Sequence, residues 1–518
     1  MPKKFIEVIM SGNRYIQKVE IKRRNMEIGS ITILLAVFGY LLYLMTLSLG
    51  NTVASYNEII FALSWLGIFL VVYVITTWYK LSGTIFSPYT IFMLFFFLFN
   101  FGQCFMWAFG IHNPSEIGKV PMFNGFGTPS GEDIVHAQGL TLACILMFHS
   151  GAVLCYKNRA KKSVKAMEDN PTIFKDYNKR TLNSIFYVCL IVSLVVIPLE
   201  LYNSYSELRL ASIYGYNSLY YSDLASTDAT FIGLLQRMFF PCLVGLLIGS
   251  KYNRKVQVVV YIIFSIYMFL NLLAGDRGSW VYKIIILAWL SHACYKPIKF
   301  KKFVKYMVVG IVFLYFITAI VSVRDTGLSS ATIAQAFESI SFEESPIIGA
   351  IFEMGGSMKP AIVLQKYGWD VWPYGNTYLL AILGMVTNKV IYLLDIPFAL
   401  PSAWFSQGYL GLSWGAGFSI VAEALLNAGP FFAPLILIIV GYLVTSMIYI
   451  DKTMIYMERP LKFFFVASTL HFFIPMTRNE LHVQLKDWFY GLLVLCILIL
   501  IVRNLPFRSS NNSVNIRK

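Results

Sequence analysis

The chain has 518 residues, 57% hydrophobic and 16% aromatic, with only 13% charged. Soluble domains carry about 25% charged residues, so a water-soluble fold is excluded and a polytopic membrane protein is expected. The net charge of +15 lies mostly in short connectors between apolar runs, which marks it as a topology signal and not a nucleic-acid footprint.

The chain opens on a basic tail, 1–28, too polar and too long before its first apolar run to be a cleavable signal. Apolar runs near the ~20 residues that cross a bilayer then follow. They predict an all-α fold of about twelve transmembrane helices by the hydropathy window. Nine spans fall within 29–323, at 29–49, 59–79, 86–109, 134–156, 182–200, 230–249, 257–274, 279–295 and 305–323. A long loop, 324–429, comes next. Three more spans, 430–450, 461–476 and 487–503, precede a short tail, 504–518.

Of the 42 lysines and arginines, 31 fall in the N-terminal tail, at Lys80, in 157–180, 251–255, 296–305 and 452–462, and from Arg503 at the end of the last span into the C-terminal tail. The positive-inside rule makes these segments and both termini cytoplasmic. The outer face then holds 50–58, 110–133, 201–229, the GDRG turn, 324–429 and 477–486. The 324–429 segment is not a polar domain. Its apolar pieces, such as "SPIIGAIFEMGGSMKPAIVL", are broken by Gly, Pro, Asn and single charges. Irregular backbone at membrane depth requires burial in protein or a cavity to line. The expectation is a cap of short interfacial or re-entrant helices, with a further pair of spans near 376–394 and 412–430 as the alternative.

Cations outside the cytoplasmic set are disfavoured and therefore informative. Arg277 ends the seventh span in "GDRG", Arg324 ends the ninth in "VSVRDTG", and Arg478 ends the eleventh in "PMTRNELH". Three spans thus deliver an arginine to one face at one depth. Guanidinium suits bidentate phosphate binding, so the three read as a diphosphate site. Against this stands local pairing with Asp276, Asp325 and Glu480. Arg237, in the sixth span, is either a ligand contact or half of an internal ion pair. Lys283 either shares the anion or neutralises an intramembrane acid.

The same face offers candidate bases. Glu353 lies in "FEMGGSMKP", where Gly355 and Gly356 would let a ligand approach the backbone. Glu480 and His482 follow Arg478, and Arg478 and His482 share a face if that segment is helical. Glu423, with Asn427 four residues on, is a lone carboxylate in an apolar helix, costly unless paired. Glu353 and Glu423 divide evenly between site and packing roles. His149, His292 and His471 read as packing histidines. The seven cysteines show no metal or disulfide spacing and read as small apolar residues. No HExxH, Walker loop, GxSxG or Asp-rich motif appears on the outer face. Aromatics crowd "YNSYSELRLASIYGYNSLYYSD" and "QKYGWDVWPYGNTY", as an interfacial belt or as sugar-stacking surfaces.

An aromatic span after "SPYTIFMLFFFLFNFGQ", a "GDRG" turn and "VSVRD" at a span end occur in that order. "FEMGGSMKP", "YGNTYLLAILGMV", "GAGFSIVAEALLNAGPFF" and "TRNELH" follow. This order resembles the Wzy-type oligosaccharide repeat-unit polymerases of bacterial O-antigen and capsule synthesis, over about residues 80–490. The resemblance implies a GT-C-like membrane fold and a metal-independent glycosyltransferase with no cofactor. It implies transfer of a growing glycan from one undecaprenyl diphosphate to an incoming lipid-linked repeat unit in the cytoplasmic membrane. It also implies that Arg277, Arg324 and Arg478 bind diphosphate and that Glu353, Glu423 and Asn427 shape the acceptor site. A chain-length regulator and a flippase are the protein partners it implies. A ligase-like glycan transferase and a lipid-linked oligosaccharide flippase are the alternatives. A transporter should show midplane charges in repeated broken helices, and the sequence halves show no repeat.

Overall fold

A computed structural model describes residues 27–49, 55–123, 125–167, 174–214, 231–274, 276, 278–299, 301–302, 304–305, 308, 310, 345–450 and 454–505. Arg277, Arg324 and most of the expected span 305–323 lie outside the described residues. Among the described residues the chain is helical with no strand, and ten helices are long and apolar enough to cross a membrane.

The chain runs through α1 (Glu27–Ser48), α2 (Asn57–Ser82), α3 (Pro88–Ala108), α4 (Gly131–Met167) and α5 (Phe174–Tyr214). Then come α6 (Phe231–Gln236), α7 (Phe239–Gly249), α8 (Arg254–Ala274) and α9 (Ser279–Cys294). α3 starts where its sequence dictates. The Ser87 hydroxyl accepts from the Thr90 N–H, and Pro88 occupies the first turn, where no donor is needed. α3 and α4 are the most enclosed spans, whereas α2 and α8 turn most of their surface outward. α5 is longer than the expected 182–200. Its 41 residues reach about 60 Å, so the tyrosine-rich run continues as helix to Tyr214, with Tyr202 and Tyr205 exposed.

The expected cap holds α10 (Pro346–Gly355), α11 (Lys359–Tyr367), α12 (Thr377–Leu383) and α13 (Lys389–Leu393). A 3-10 turn at Gly356–Met358 joins α10 to α11, so Ile347–Tyr367 forms one apolar helical stretch of 21 residues. Pro360 does not break it, because it falls in the first turn of α11. No span forms at 376–394, which folds as two short helices. A helix near 412–430 begins only at Ile420, as α14 (Ile420–Ile448). Ser419 caps α14 through the Ala422 N–H, and Gly429 (φ 67°) kinks it before Pro430. The expected span start at 430 is therefore this kink. α15 (Pro460–Phe473) and α16 (Leu481–Asn504) complete the fold.

α14 packs against α4 backbone to backbone. A Cβ on Gly151 would lie 2.0 Å from the Ile438 carbonyl oxygen, and one on Gly441 would lie 2.2 Å from that of Phe148. Small residues permit this approach between membrane helices. All seven cysteines are free and buried, as expected of small apolar residues. His149 bridges the Thr77 and Tyr89 hydroxyls at 2.8 and 2.7 Å. His292 Nδ1 accepts the Ile298 N–H, and the His471 ring packs on Phe240 and Tyr282. His149 and His292 are thus satisfied within the helix packing, while His471 also lines a polar cavity.

Candidate functional site

The site lies beside the second half of α3, about two turns before its end. There the α15–α16 corner meets the turn that opens α9. This turn is fixed locally. Asp276 accepts the Gly278 N–H (2.9 Å) on its side chain and the Trp280 indole N–H (2.9 Å) on its carbonyl. Arg478 is exposed, and its guanidinium sits 5.3 Å from the centre of the Phe99 ring. Gly278 lies beside it, since a Cβ there would be 4.0 Å from Arg478 Nη1. The GDRG turn and Arg478 are therefore neighbours. Arg478 has no ion pair among the described residues, and Glu480 is buried elsewhere.

Arg478 and His482 do not share a helical face. The 3-10 turn Ile474–Arg478 ends, and Asn479 and Glu480 are extended (ψ 178° and 163°) before α16 starts. Glu480 is fully buried. Its Oε1 accepts from Ser402 Oγ at 3.1 Å, and its Oε2 has no partner among the described residues. Burial pushes its carboxyl above the usual range. His482, 2% exposed, contacts Asn388 Oδ1 at 3.2 Å and packs on Phe398. Glu353 is exposed on α10. Gly355 is open not to a ligand but to α3, where a Cβ would meet the Gln103 backbone nitrogen at 2.3 Å.

Glu423 is buried and paired on both oxygens. Oε1 accepts from Thr377 Oγ1 (2.7 Å) and Oε2 from the Leu481 N–H (2.9 Å). Asn427 Oδ1 accepts the Thr377 N–H (2.7 Å), and its Nδ2 donates to Thr377 Oγ1 (2.6 Å). One turn of α14 thus holds the first residues of α12 and α16. The two residues expected at the acceptor site tie a cap helix to the Arg478 corner.

Arg237 forms an ion pair with Asp487. Lys283 is buried against the Tyr267 hydroxyl and ring. Arg237, Asp487, Lys283, Glu200, Gln236, Gln484, Tyr282 and His471 share a cavity of ≈ 340 Å³ between α5, α6, α9, α15 and α16. Two cations and two acidic side chains line this cavity, and Arg478 lies outside it.

The family described as O-antigen polysaccharide polymerase Wzy matches residues 30–509, nearly the whole chain. The chain belongs to this family. No curated protein and no solved structure matches it. Wzy proteins polymerise O-antigen repeat units, so the arrangement above belongs to a multi-pass membrane polymerase acting on lipid-linked oligosaccharides.

Other residues beside Arg478 and Glu353 are uncharged and lie in the aromatic stretch that carries the resemblance. Asn100 Nδ2 donates to the Thr477 carbonyl (2.8 Å) beside Arg478. Gln103 Nε2 donates to the Phe352 carbonyl (2.8 Å) beside Glu353. Their sequence signal is polarity inside that aromatic stretch. The "QKYGWDVWPYGNTY" aromatics pack partly on one another and on Trp404, which lies 4.9 Å from Trp372. Tyr374 also packs on Trp372, at 5.0 Å.

Proposed function

We propose that the chain transfers a growing glycan from one polyprenyl diphosphate to an incoming lipid-linked repeat unit, on the outer face of the cytoplasmic membrane and without a metal. One observation carries this reading: an exposed arginine, without an ion pair among the described residues, beside the turn that opens α9. Arg478 receives the donor diphosphate there, and Arg277 and Arg324, which lie outside the described residues, are assigned the same role by their sequence pattern. In the transfer the bond from the sugar carbon to the diphosphate oxygen breaks. Charge grows on that oxygen and guanidinium stabilises it. The acceptor hydroxyl forms the new bond and passes its proton to a carboxylate.

Glu353 is the best placed base. It is exposed, whereas Glu480 and His482 are buried, and burial raises the Glu480 carboxyl above its usual range. Glu480 and His482 instead support the corner that carries Arg478. Arg237 and Lys283 act behind the site, each next to a carboxylate. A single displacement inverts the sugar carbon.

The test is purified protein with synthetic lipid-diphosphate repeat units and chelator, read as glycan length. Lengthening is expected to persist in chelator. Arg478→Ala, Arg277→Ala and Arg324→Ala should each lose roughly a hundredfold in rate, the scale for removing one charge-stabilising donor. Normal lengthening by all three variants would end the arginine-site reading. Translocation without lengthening would favour a flippase.

A further inference from the structure

The aromatic span α3 has two amides that the reaction itself does not use. Asn100 and Gln103 are three residues apart, so they stand on one helical face about 4.5 Å apart along the axis. Both are buried. Asn100 Nδ2 donates to the Phe96 carbonyl (3.1 Å) and to the Thr477 carbonyl (2.8 Å). Gln103 is bonded at both ends, donating to the Phe352 carbonyl and accepting the Ile117 N–H (2.9 Å). Thr477 precedes Arg478 and Phe352 precedes Glu353. Phe99, next to Asn100, lies under the Arg478 guanidinium.

We propose that Asn100 and Gln103 are positioning residues. They form a jig on one face of α3 that fixes the anion-binding Arg478 and the base Glu353 at a set separation. The proposal rests on the roles given above to those two residues. Its physical basis is that a transfer between two lipid-held sugars depends on the spacing of the charge stabiliser and the base, where a small misplacement is costly. Among the described residues, the Arg478 guanidinium on this 3-10 corner is fixed by its backbone and by the ring beneath it. The buried Asn100 Oδ1 has no partner among the described residues. Asn100 is thus a poor choice for stability alone, since an unpaired buried acceptor is a cost.

The experiment uses the full-length protein in detergent with a synthetic polyprenyl-diphosphate repeat unit, measuring kcat, KM and melting temperature. Asn100→Leu removes the orphan acceptor but also takes the donor from the buried Thr477 carbonyl, so a lower melting temperature is expected and kinetics are read where both proteins stay folded. Its KM should rise about fivefold to tenfold, the worth of roughly one hydrogen bond. In an Arg478→Lys background, Asn100→Leu should add much less than it does alone, because both changes act through one group. Gln103→Leu should couple in the same way to Glu353→Gln, acting on kcat. Phe99→Leu gives an independent arm, with a raised KM and an intact fold. The proposal is overturned if Asn100→Leu is kinetically normal, if its loss multiplies fully with that of Arg478→Lys, or if activity falls only in step with melting temperature. Wild-type kinetics in Arg478→Lys and Arg478→Ala would instead defeat the diphosphate reading beneath it.

Discussion

At the scale of single residues, some charges are tied into the fold and others stand outside its ion pairs among the described residues. Glu116, in the loop between α3 and α4, holds the fold. Its carboxylate accepts from Trp107 Nε1 (2.8 Å), His112 Nδ1 (3.0 Å), Lys119 Nζ (3.0 Å) and the Asn113 N–H (3.1 Å). Burial alone would raise its pKa. The hydrogen bonds from Lys119, Trp107, the Asn113 backbone and His112 outweigh burial and hold the carboxyl below the usual glutamate range. A depressed folded pKa gives stability that is complete above the unfolded value of about 4.3 and lost as pH falls through the folded value. Thermal unfolding of Glu116→Gln should show a loss of about 2 kcal/mol at neutral pH. The gap from wild type should close as the pH is lowered below about 4. A constant gap across that range would show that the carboxylate charge is not what matters. Arg478 is the opposite case, exposed and without an ion pair among the described residues. Sequence made that arginine visible, because the positive-inside rule disfavours cations on its face. The amides that hold its corner have no charge to betray them, and Thr377 gives no sign that it joins Glu423 to Asn427.

At the scale of elements, apolar length identified the well-enclosed spans. It failed where helices do not end at polar residues. In α10–α11, Glu353, Gly355, Gly356 and Pro360 read as breaks in an apolar run. The chain stays helical because Pro360 sits in a first turn and because Gly355 lets α10 rest on α3. In α5 the tyrosine and serine run reads as loop. It is helix, with an i, i+4 bond from Asn203 Nδ2 to Glu207 Oε1 at 2.8 Å. The crossing of α4 and α14 left only two glycines in the sequence, and only the packing shows their use. Gly151→Ala places a methyl where the Ile438 carbonyl oxygen stands, so the helices must separate. Overpacking of this kind costs about 1–3 kcal/mol, and a lower melting temperature in detergent is expected. Gly349→Ala, on α10 with no atom within 4 Å of a new Cβ, should be neutral or stabilising by up to about 1 kcal/mol. Equal melting temperatures for the two variants would refute the close crossing.

At the scale of the whole molecule, the depth of α10–α11 decides which way the chain ends face. Gly355 rests on Gly102, six residues before the end of α3, or about 9 Å below it. Lys366 reaches Asp133 Oδ2 at 2.6 Å, in the first turn of α4 at that same end of the bundle. Eleven residues, about 16 Å of helix, therefore cover a change in depth of only about 9 Å. The stretch is inclined. An inclined stretch of this kind fits the re-entrant helix expected of the 324–429 segment. A helix that enters and leaves by one face does not alter the parity of the crossings, so both termini should lie on the cytoplasmic side, as the lysine and arginine distribution requires. Single cysteines placed at the N-terminus, in 157–163 and after Asn504, in a background without native cysteines, should resist a membrane-impermeant maleimide in intact cells and react after permeabilisation. A cysteine at Asn113 should react in both. If α10–α11 crosses fully, the N-terminal and C-terminal probes will report opposite faces, and the re-entrant helix is wrong.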